Sequence, residues 1–250
     1  MRWLPQGFFE RPFAHRALHG AGRPENGLSA VRAAVAAGYG IEIDVQPSSD
    51  NRAMVFHDAA LDRMTLASGP IQDRNASELG RIRLMGSDDT VPTLTQILDE
   101  VAGQVPLVIE IKDQSGLFGP TDGMLEAAVA QAIETYHGPL AIMSFNPHTV
   151  ARMRDLAPEC PRGLTTETFT SDTAPGASDA ALLALTEMTM LDETGACFIS
   201  HDVEDLSSAA VSAVRNRGLP ILCWTVRSQK VADQALKIAD QITFEGFTPG

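Results

Sequence analysis

The feature that most constrains the fold is an alternation, kept along the whole 250-residue chain, of short β-branched apolar runs with segments of helical period. Repeated strand–helix alternation predicts a parallel sheet with helices outside it. The predicted strands are Phe13–His15, Ile41–Val45, Ala53–Phe56, Leu107–Ile111, Ala141–Ser144, Gly163–Thr165, Cys197–Ser200, Ile221–Trp224 and Gln241–Thr243. The predicted helical segments are Leu28–Ala37, Leu94–Ala102, Leu125–Tyr136, Ala180–Leu191, Leu206–Arg215 and Ser228–Ala239.

Eight principal strands remain when Ala53–Phe56 is treated as an accessory hairpin strand, and eight is the number in a closed (β/α)8 TIM barrel. A doubly wound open sheet would also alternate, but no G-x-G-x-x-G follows the first strand. We therefore expect an α/β fold of the (β/α)8 type, built as one domain over residues 1–250. Residues 58–92, which show little helical period, are expected to be a small insertion after the second strand region that covers the barrel mouth.

Charge and composition exclude several classes of partner. The formal net charge is −13, with acidic residues spread along the chain, so nucleic acids and anionic membranes are not expected to bind. The sequence has no run of eighteen apolar residues, so no transmembrane segment is predicted. The first residues do not resemble a secretory signal. Three widely spaced cysteines without a CxxC pair favour a reducing, cytoplasmic location.

Carboxylates interrupt two strands that are otherwise apolar. Side chains alternate along a strand, so Glu42 and Asp44 share one face, and Glu110 and Lys112 share a face of the next principal strand. Burying carboxylates is costly unless a partner compensates their desolvation. A divalent cation that prefers oxygen ligands, Mg²⁺ or Ca²⁺, would do so. The alternative is a set of structural ion pairs, such as Glu110 with Lys112.

Two histidines follow predicted strands. His15 ends the first strand beside Arg16, and His57 follows the accessory strand with Asp58 next in sequence. Imidazole exchanges protons near neutral pH, and in-line cleavage of a phosphate ester needs both a base and an acid. The pair is therefore a candidate for acid–base catalysis, with the two roles not assigned.

Several motifs, taken together and in order, resemble the glycerophosphodiester phosphodiesterase family over nearly the whole chain. The matching segments are His15-Arg16, Pro24-Glu25-Asn26, Glu42-Ile43-Asp44-Val45, Val55-Phe56-His57-Asp58, Leu61-Asp62-Arg63-Met64-Thr65, Ile109-Glu110-Ile111-Lys112, Ser144-Phe145-Asn146-Pro147 and Cys223-Trp224-Thr225-Val226. The resemblance implies a (β/α)8 barrel that hydrolyses small glycerophosphodiesters to sn-glycerol 3-phosphate and an alcohol.

The resemblance also implies roles for individual residues. Glu42, Asp44 and Glu110 would bind one Mg²⁺ or Ca²⁺ ion, and His15 and His57 would be the acid–base pair. Arg16 and Lys112 would bind the phosphate, with Glu25 and Asn26 as supporting residues in the first loop. The first nucleophile would be water or the substrate's own glycerol 2-hydroxyl. Phe145 and Trp224, at predicted strand ends, would contact the glycerol or the head group, although core packing is an equal alternative.

The chain departs from the family's pattern at two places. Ala17 stands where the family usually has glycine after His-Arg, so the first loop is expected to have a different shape. The segment Thr243–Pro249 replaces a Thr-Asp-x-Pro type ending, which leaves the accepted alcohol open. Two rival hypotheses remain: a lysophospholipase D-type or other phosphodiesterase using the same site, and a non-catalytic phosphate-binding barrel. The oligomeric state cannot be predicted from the sequence.

Overall fold

The computed structural model describes residues 4–250, which form two compact units. The N-terminal unit comprises Phe13–Lys112 and Gly123–Leu140. The C-terminal unit comprises Asp113–Asp122, Ala141–Gly250 and the described residues up to Pro12. Each unit is built on parallel strands. The organisation as one domain stays a prediction.

Strands of the N-terminal unit pack around the long strand β2. They are β1 (Phe13–Ala14), β2 (Gly40–Pro47), β3 (Ala53–Val55) and β4 (Leu107–Ile111). β2 pairs in parallel with β1 and β4, and its last residues pair with β3 in antiparallel. Phe13 lies opposite Gly40, where an added Cβ atom would come within 2.7 Å of the Phe13 ring. Glycine is therefore required at this close contact.

Helices of the N-terminal unit have clear local signals at their ends. They are α1 (Leu28–Ala37), α2 (Ala76–Leu79), α3 (Leu94–Val101) and α4 (Met124–Ile133). α1 ends at Gly38, whose φ of 72° lies in the left-handed region that glycine adopts without strain. α3 begins with a capping box in which Thr93 and Gln96 bond each other's backbone N–H groups.

The segment of residues 58–92 has an apolar core of its own. It contains a 3₁₀ helix (Ile71–Asp73) and α2, joined by turns and isolated bridges. Side chains from this segment, from β3 and from the residue that follows β3 form a buried cluster of Met54, Phe56, Leu61, Ile71, Leu79, Leu84 and Val91. Because the cluster includes Met54 of β3, the segment packs against the β2–β3 hairpin.

The C-terminal unit is a row of five parallel strands with helices between them. The strands are β5 (Leu140–Ser144), β6 (Arg162–Thr166), β7 (Phe198–Asp202), β8 (Ile221–Val226) and β9 (Gln241–Phe244). The helices are α5 (Pro147–Leu156), α6 (Asp179–Thr186), α7 (Leu191–Thr194), α8 (Ala209–Asn216) and α9 (Gln229–Ala235). Short 3₁₀ helices cover Gln6–Phe9 and Val203–Asp205.

The predicted strands are all present, with bounds shifted by one or two residues, and the accessory strand is the antiparallel β3. The helical predictions missed α2 and α5, and one predicted segment extends past the end of α6. α5 was not predicted, because its sequence after Pro147 lacks a continuous apolar stripe, although Asn146 caps it and proline suits its first position. The predicted segment Ala180–Leu191 covers α6, which ends at Thr186, and only the first residue of α7. No helix within residues 4–250 combines the length and apolar character needed to cross a bilayer.

Candidate active site

The strand register brings the three predicted carboxylates together. Glu42 and Asp44 lie two residues apart on β2, so their side chains share a face, and Asp44 is the direct partner of Glu110 on β4. All three residues are buried, and one oxygen from each lies within 4.8 Å of the others. The residues predicted as metal ligands therefore form one buried acidic cluster.

Lys112 lies against this cluster. Its Nζ atom is 2.6 Å from Asp44 Oδ1 and also donates to Glu110 Oε1. Burial by itself would lower the pKa of Lys112, but the charges of Asp44 and Glu110 reverse the effect and raise it above its usual value. The ion pair between Glu110 and Lys112, which was the structural alternative, is thus present together with the carboxylate cluster.

Glu42 and Asp44 have pKa values shifted in opposite directions. Burial, together with the charges of Asp44 and Glu110, raises the pKa of Glu42 well above its ordinary value. Burial would also raise the pKa of Asp44, but Lys112, His57 and Arg16 lower it well below the ordinary value. A hard divalent cation with oxygen ligands would offset the repulsion that Glu42 experiences, so the donor set fits Mg²⁺ or Ca²⁺.

The first loop is bonded directly to the carboxylates. The Arg16 backbone N–H donates to Glu42 Oε2 at 2.9 Å. Asn26 Nδ2 donates to Asp44 Oδ2 at 2.9 Å, and the Asp44 backbone N–H donates to Asn26 Oδ1 at 3.1 Å. Arg16, Ala17 and Asn26 all have positive φ, with 66° at Ala17. Ala17 thus adopts a backbone conformation that favours glycine, the residue the family pattern has there.

The Arg16 side chain bonds Glu25 through one nitrogen atom and lies beside Asp44 with another. Its Nη1 atom donates to Glu25 Oε1 at 3.0 Å. Its Nε atom is buried, lies 3.7 Å from Asp44 Oδ2, and has no hydrogen-bond partner among residues 4–250. Glu25, predicted as a supporting residue, therefore holds the guanidinium beside the acidic cluster.

His57 lies beyond the end of β3, half-buried. Its Nδ1 atom is 2.7 Å from Asp58 Oδ1, and the Gln46 side chain donates to its backbone carbonyl at 3.1 Å. Burial lowers the pKa of His57, the charge of Lys112 lowers it further, and Asp44 opposes both. With Nδ1 paired to a carboxylate, Nε2 is the ring nitrogen suited to accept a proton.

His15 follows β1 directly, in the turn that also carries Arg16, and is half-buried. The turn connects β1 to the loop that bonds Glu42 and Asp44. Its role in proton transfer stays a prediction.

Three residues around His57 were not predicted as site residues. Gln46 continues the β2 face of Glu42 and Asp44, so strand alternation was a usable signal for it. Asp58 is adjacent to His57 in sequence. Arg63 donates to Asp58 and to Glu25, and Glu25 is 38 residues away in sequence, so no local pattern could have indicated the second contact.

Phe145 and Trp224 belong to the C-terminal unit, where their ring centroids are 5.5 Å apart in an edge-to-face arrangement. Phe145 also contacts Phe118 and Phe169, and Trp224 Nε1 donates to the Ser200 carbonyl. Phe145, Phe169 and neighbouring aliphatic side chains line a pocket of about 160 Å³ within this unit. The aromatic packing predicted as the alternative is present, and a substrate contact stays a prediction.

Comparison with known proteins identifies the family. The sequence profile of the glycerophosphoryl diester phosphodiesterase family matches residues 15–244. The chain belongs to this family. It is 28% identical to the protein YhdW of Bacillus subtilis over 229 residues, which are 88% of this chain and 87% of the relative. It is also 28% identical over 150 residues to a glycerophosphodiester phosphodiesterase of Caldanaerobacter subterraneus, covering 56% of this chain and 60% of the relative.

Solved structures give the fold. A phosphodiesterase of Oleispira antarctica, in complex with the product sn-glycerol-3-phosphate, matches with a TM-score of 0.79 at 23% identity, covering 95% of this chain and 93% of that one. A glycerophosphodiester phosphodiesterase of Thermotoga maritima matches with a TM-score of 0.70 at 20% identity, covering 94% of both chains. The chain has the (β/α)8 barrel fold of these structures, which confirms the predicted fold class.

Family membership also fixes the general reaction. The protein is a phosphoric diester hydrolase, and its substrates are glycerophosphodiesters. The family assignment confirms the resemblance predicted from the ordered motifs. It leaves open how this chain's own residues perform the reaction.

Proposed function

We propose that the protein hydrolyses glycerophosphodiesters to sn-glycerol 3-phosphate and an alcohol, using one divalent cation and the pair His15 and His57. The observation that carries the proposal is the acidic cluster of Glu42, Asp44 and Glu110, whose oxygens lie within 4.8 Å of one another in the same unit as His57. A protein that only bound phosphate would gain nothing from burying three carboxylates, because they repel an anion.

Glu42, Asp44 and Glu110 would hold the cation, Mg²⁺ or Ca²⁺. When bound there, it would supply Lewis-acid polarisation of a phosphoryl oxygen and offset the negative charge of the cluster. Asn26 keeps Asp44 oriented for this role through its two hydrogen bonds. The Arg16 backbone N–H does the same for Glu42.

Arg16 and Lys112 would bind the phosphate. Arg16 Nε is a buried donor without a hydrogen-bond partner among the described residues, so a phosphoryl oxygen would satisfy it. Lys112 lies against Asp44 and Glu110, and its positive charge would attract a phosphoryl oxygen of a substrate bound beside the acidic cluster. Two positive groups at the phosphate would stabilise the charge that develops on its oxygens.

His57 would accept the proton of the nucleophile, and His15 would donate one to the leaving alcohol. The lowered pKa of His57 supports its role as base, since the imidazole is then neutral at physiological pH. The nucleophile is water or the glycerol 2-hydroxyl of the substrate. Phe145 and Trp224 would contact the organic part of the substrate, and the protein would act in the cytoplasm on small-molecule substrates.

The test is a hydrolysis assay over a panel of glycerophosphodiesters and lysophospholipids, with Mg²⁺, Ca²⁺ or a chelator, scored for released glycerol 3-phosphate. Turnover should require a divalent cation. His57→Gln should lower kcat by about 10²–10⁴, and Glu42→Gln should remove the cation dependence together with the activity.

His137→Gln is the matched control, because His137 is an exposed histidine of the same unit that follows α4. It should leave turnover unchanged. Full activity in the chelator would exclude the cation mechanism, and a His57→Gln variant within tenfold of the unaltered protein would remove His57 from proton transfer. Release of choline from lysophospholipids without glycerol 3-phosphate would instead favour the lysophospholipase D-type alternative.

A further inference from the structure

Arg63 holds two carboxylates with one guanidinium group. Its Nε atom donates to Asp58 Oδ2 at 2.6 Å and its Nη2 atom to Asp58 Oδ1 at 3.0 Å, which makes a two-point contact. On the other side, Nη1 and Nη2 donate to the two oxygens of Glu25, at 3.1 and 2.5 Å. The planar guanidinium therefore fixes the orientation of both carboxylates.

Asp58 passes this orientation to His57. The chain bends at these residues, so that the two adjacent side chains meet, and Asp58 Oδ1 lies 2.7 Å from His57 Nδ1. Burial would raise the pKa of Asp58, but hydrogen bonds from Arg63 and His57 lower it below its ordinary value. An ionised Asp58 accepts hydrogen bonds only, so the neutral imidazole must carry its proton on Nδ1.

The network is bonded back to the acidic cluster. Glu25 accepts from Arg16 Nη1, and the Arg16 backbone N–H donates to Glu42. Arg63 thus links the segment of residues 58–92, in which it lies, to the first loop. The Arg63 side chain is 46% exposed, and exposed ion pairs add little to stability. The main effect of Arg63 is therefore to orient Asp58, because its ion pairs contribute little to the stability of the fold.

We propose that Arg63 and Asp58 are positioning residues for His57. Arg63 fixes the plane of the Asp58 carboxylate, and Asp58 holds His57 in the tautomer whose Nε2 carries the lone pair. The catalytic consequence rests on the proposed function, in which His57 accepts a proton. The tautomer itself does not depend on any substrate.

The first test is the ¹⁵N NMR spectrum of the histidine side chains at pH 8, with the His57 signals assigned by loss in His57→Gln. The unaltered protein should show His57 protonated on Nδ1. Asp58→Ala removes the acceptor and should move the proton to Nε2. The proposal is overturned if Asp58→Ala keeps the Nδ1 proton, whether or not the protein hydrolyses glycerophosphodiesters.

The second test separates positioning from substrate binding and from folding. Asp58→Ala should lower kcat about 10²–10⁴-fold and Arg63→Gln about 10–100-fold, with KM changed less than about threefold in both. Arg63→Lys keeps the charge but not the planar contact, so it should lose kcat as Arg63→Gln does. A rise in KM with unchanged kcat, or full rescue by lysine, would contradict the proposal.

Arg83→Gln is the matched control. Arg83 is an exposed arginine of the same 58–92 segment, and it pairs with Asp88 at 3.0 Å. This variant should keep the kcat and the His57 tautomer of the unaltered protein. If it lost as much kcat as Arg63→Gln, the effect would belong to the segment as a whole, and the specific role of Arg63 would be wrong. Absence of turnover in the unaltered protein would refute the proposed function, while the NMR test would still decide the positioning role.

Discussion

Replacing Lys112 by methionine tests the charge balance of the acidic cluster. Lys112 Nζ lies 2.6 Å from Asp44 Oδ1 and bonds Glu110, and the three side chains are at most 16% exposed. At an effective dielectric constant of about 20, two unit charges 4 Å apart attract by about 4 kcal/mol. Removing one partner of a buried pair leaves the other charge uncompensated, and typically costs about 3–5 kcal/mol.

We therefore expect Lys112→Met to lower the free energy of unfolding by about 3–5 kcal/mol at pH 7.5 in the presence of a chelator. Lys112 depresses the pKa of Asp44, so this stabilisation is present above the pKa of an unfolded aspartate, about 3.9, and is lost as pH falls through the folded value. In the variant, Lys112 no longer opposes the effect of burial on the pKa of Asp44, so Asp44 binds a proton at a higher pH. The difference in the free energy of unfolding between the two proteins should therefore become smaller as the pH approaches 4.

The assay is urea unfolding followed by far-UV circular dichroism, at several pH values, with a chelator and then with excess Mg²⁺ or Ca²⁺. The cation should stabilise Lys112→Met more than the unaltered protein, because the ammonium group no longer competes for the carboxylate oxygens. Lys230→Met, at an exposed lysine of α9, should change stability by less than about 0.5 kcal/mol. A loss below about 1 kcal/mol for Lys112→Met, independent of pH, would refute the charge-balance argument.

Three further predictions follow from the packing and the pKa shifts. Burial lowers the pKa of His57 below its ordinary value of 6.5, and the base must be neutral, so the acid midpoint of the pH–rate profile should lie below pH 6.5. A midpoint at or above pH 6.5 would contradict this. Gly163→Ala should destabilise the protein by about 1–3 kcal/mol in thermal unfolding, since its Cβ atom would come within 2.5 Å of the Phe198 ring; an unchanged midpoint would show that the ring moves freely. Burial raises the pKa of Cys160 and Cys223 to about 12, so neither thiol should react with iodoacetamide at pH 8 until urea is added; mass spectrometry of the native protein would detect early alkylation.

Local sequence patterns determined the secondary structure and the faces of the strands. β-branched runs and helix-end signals are properties of neighbouring residues, so the strands were predicted to within one or two residues. Alternation along a strand placed Glu42 with Asp44, and Glu110 with Lys112. Those pairs, combined with the motif order, were enough to predict the family and the acidic cluster.

The tertiary structure decided which groups meet across the chain. The register of β2 against β4 places Asp44 beside Glu110, and no pattern within either strand specifies that register. The contact of Arg63 with Glu25 depends on how the 58–92 segment folds back onto the first loop. These contacts join residues far apart in sequence, and they depend on loop conformation and strand register, which are set by packing of the whole core. Strand and helix signals, in contrast, come from neighbouring residues alone.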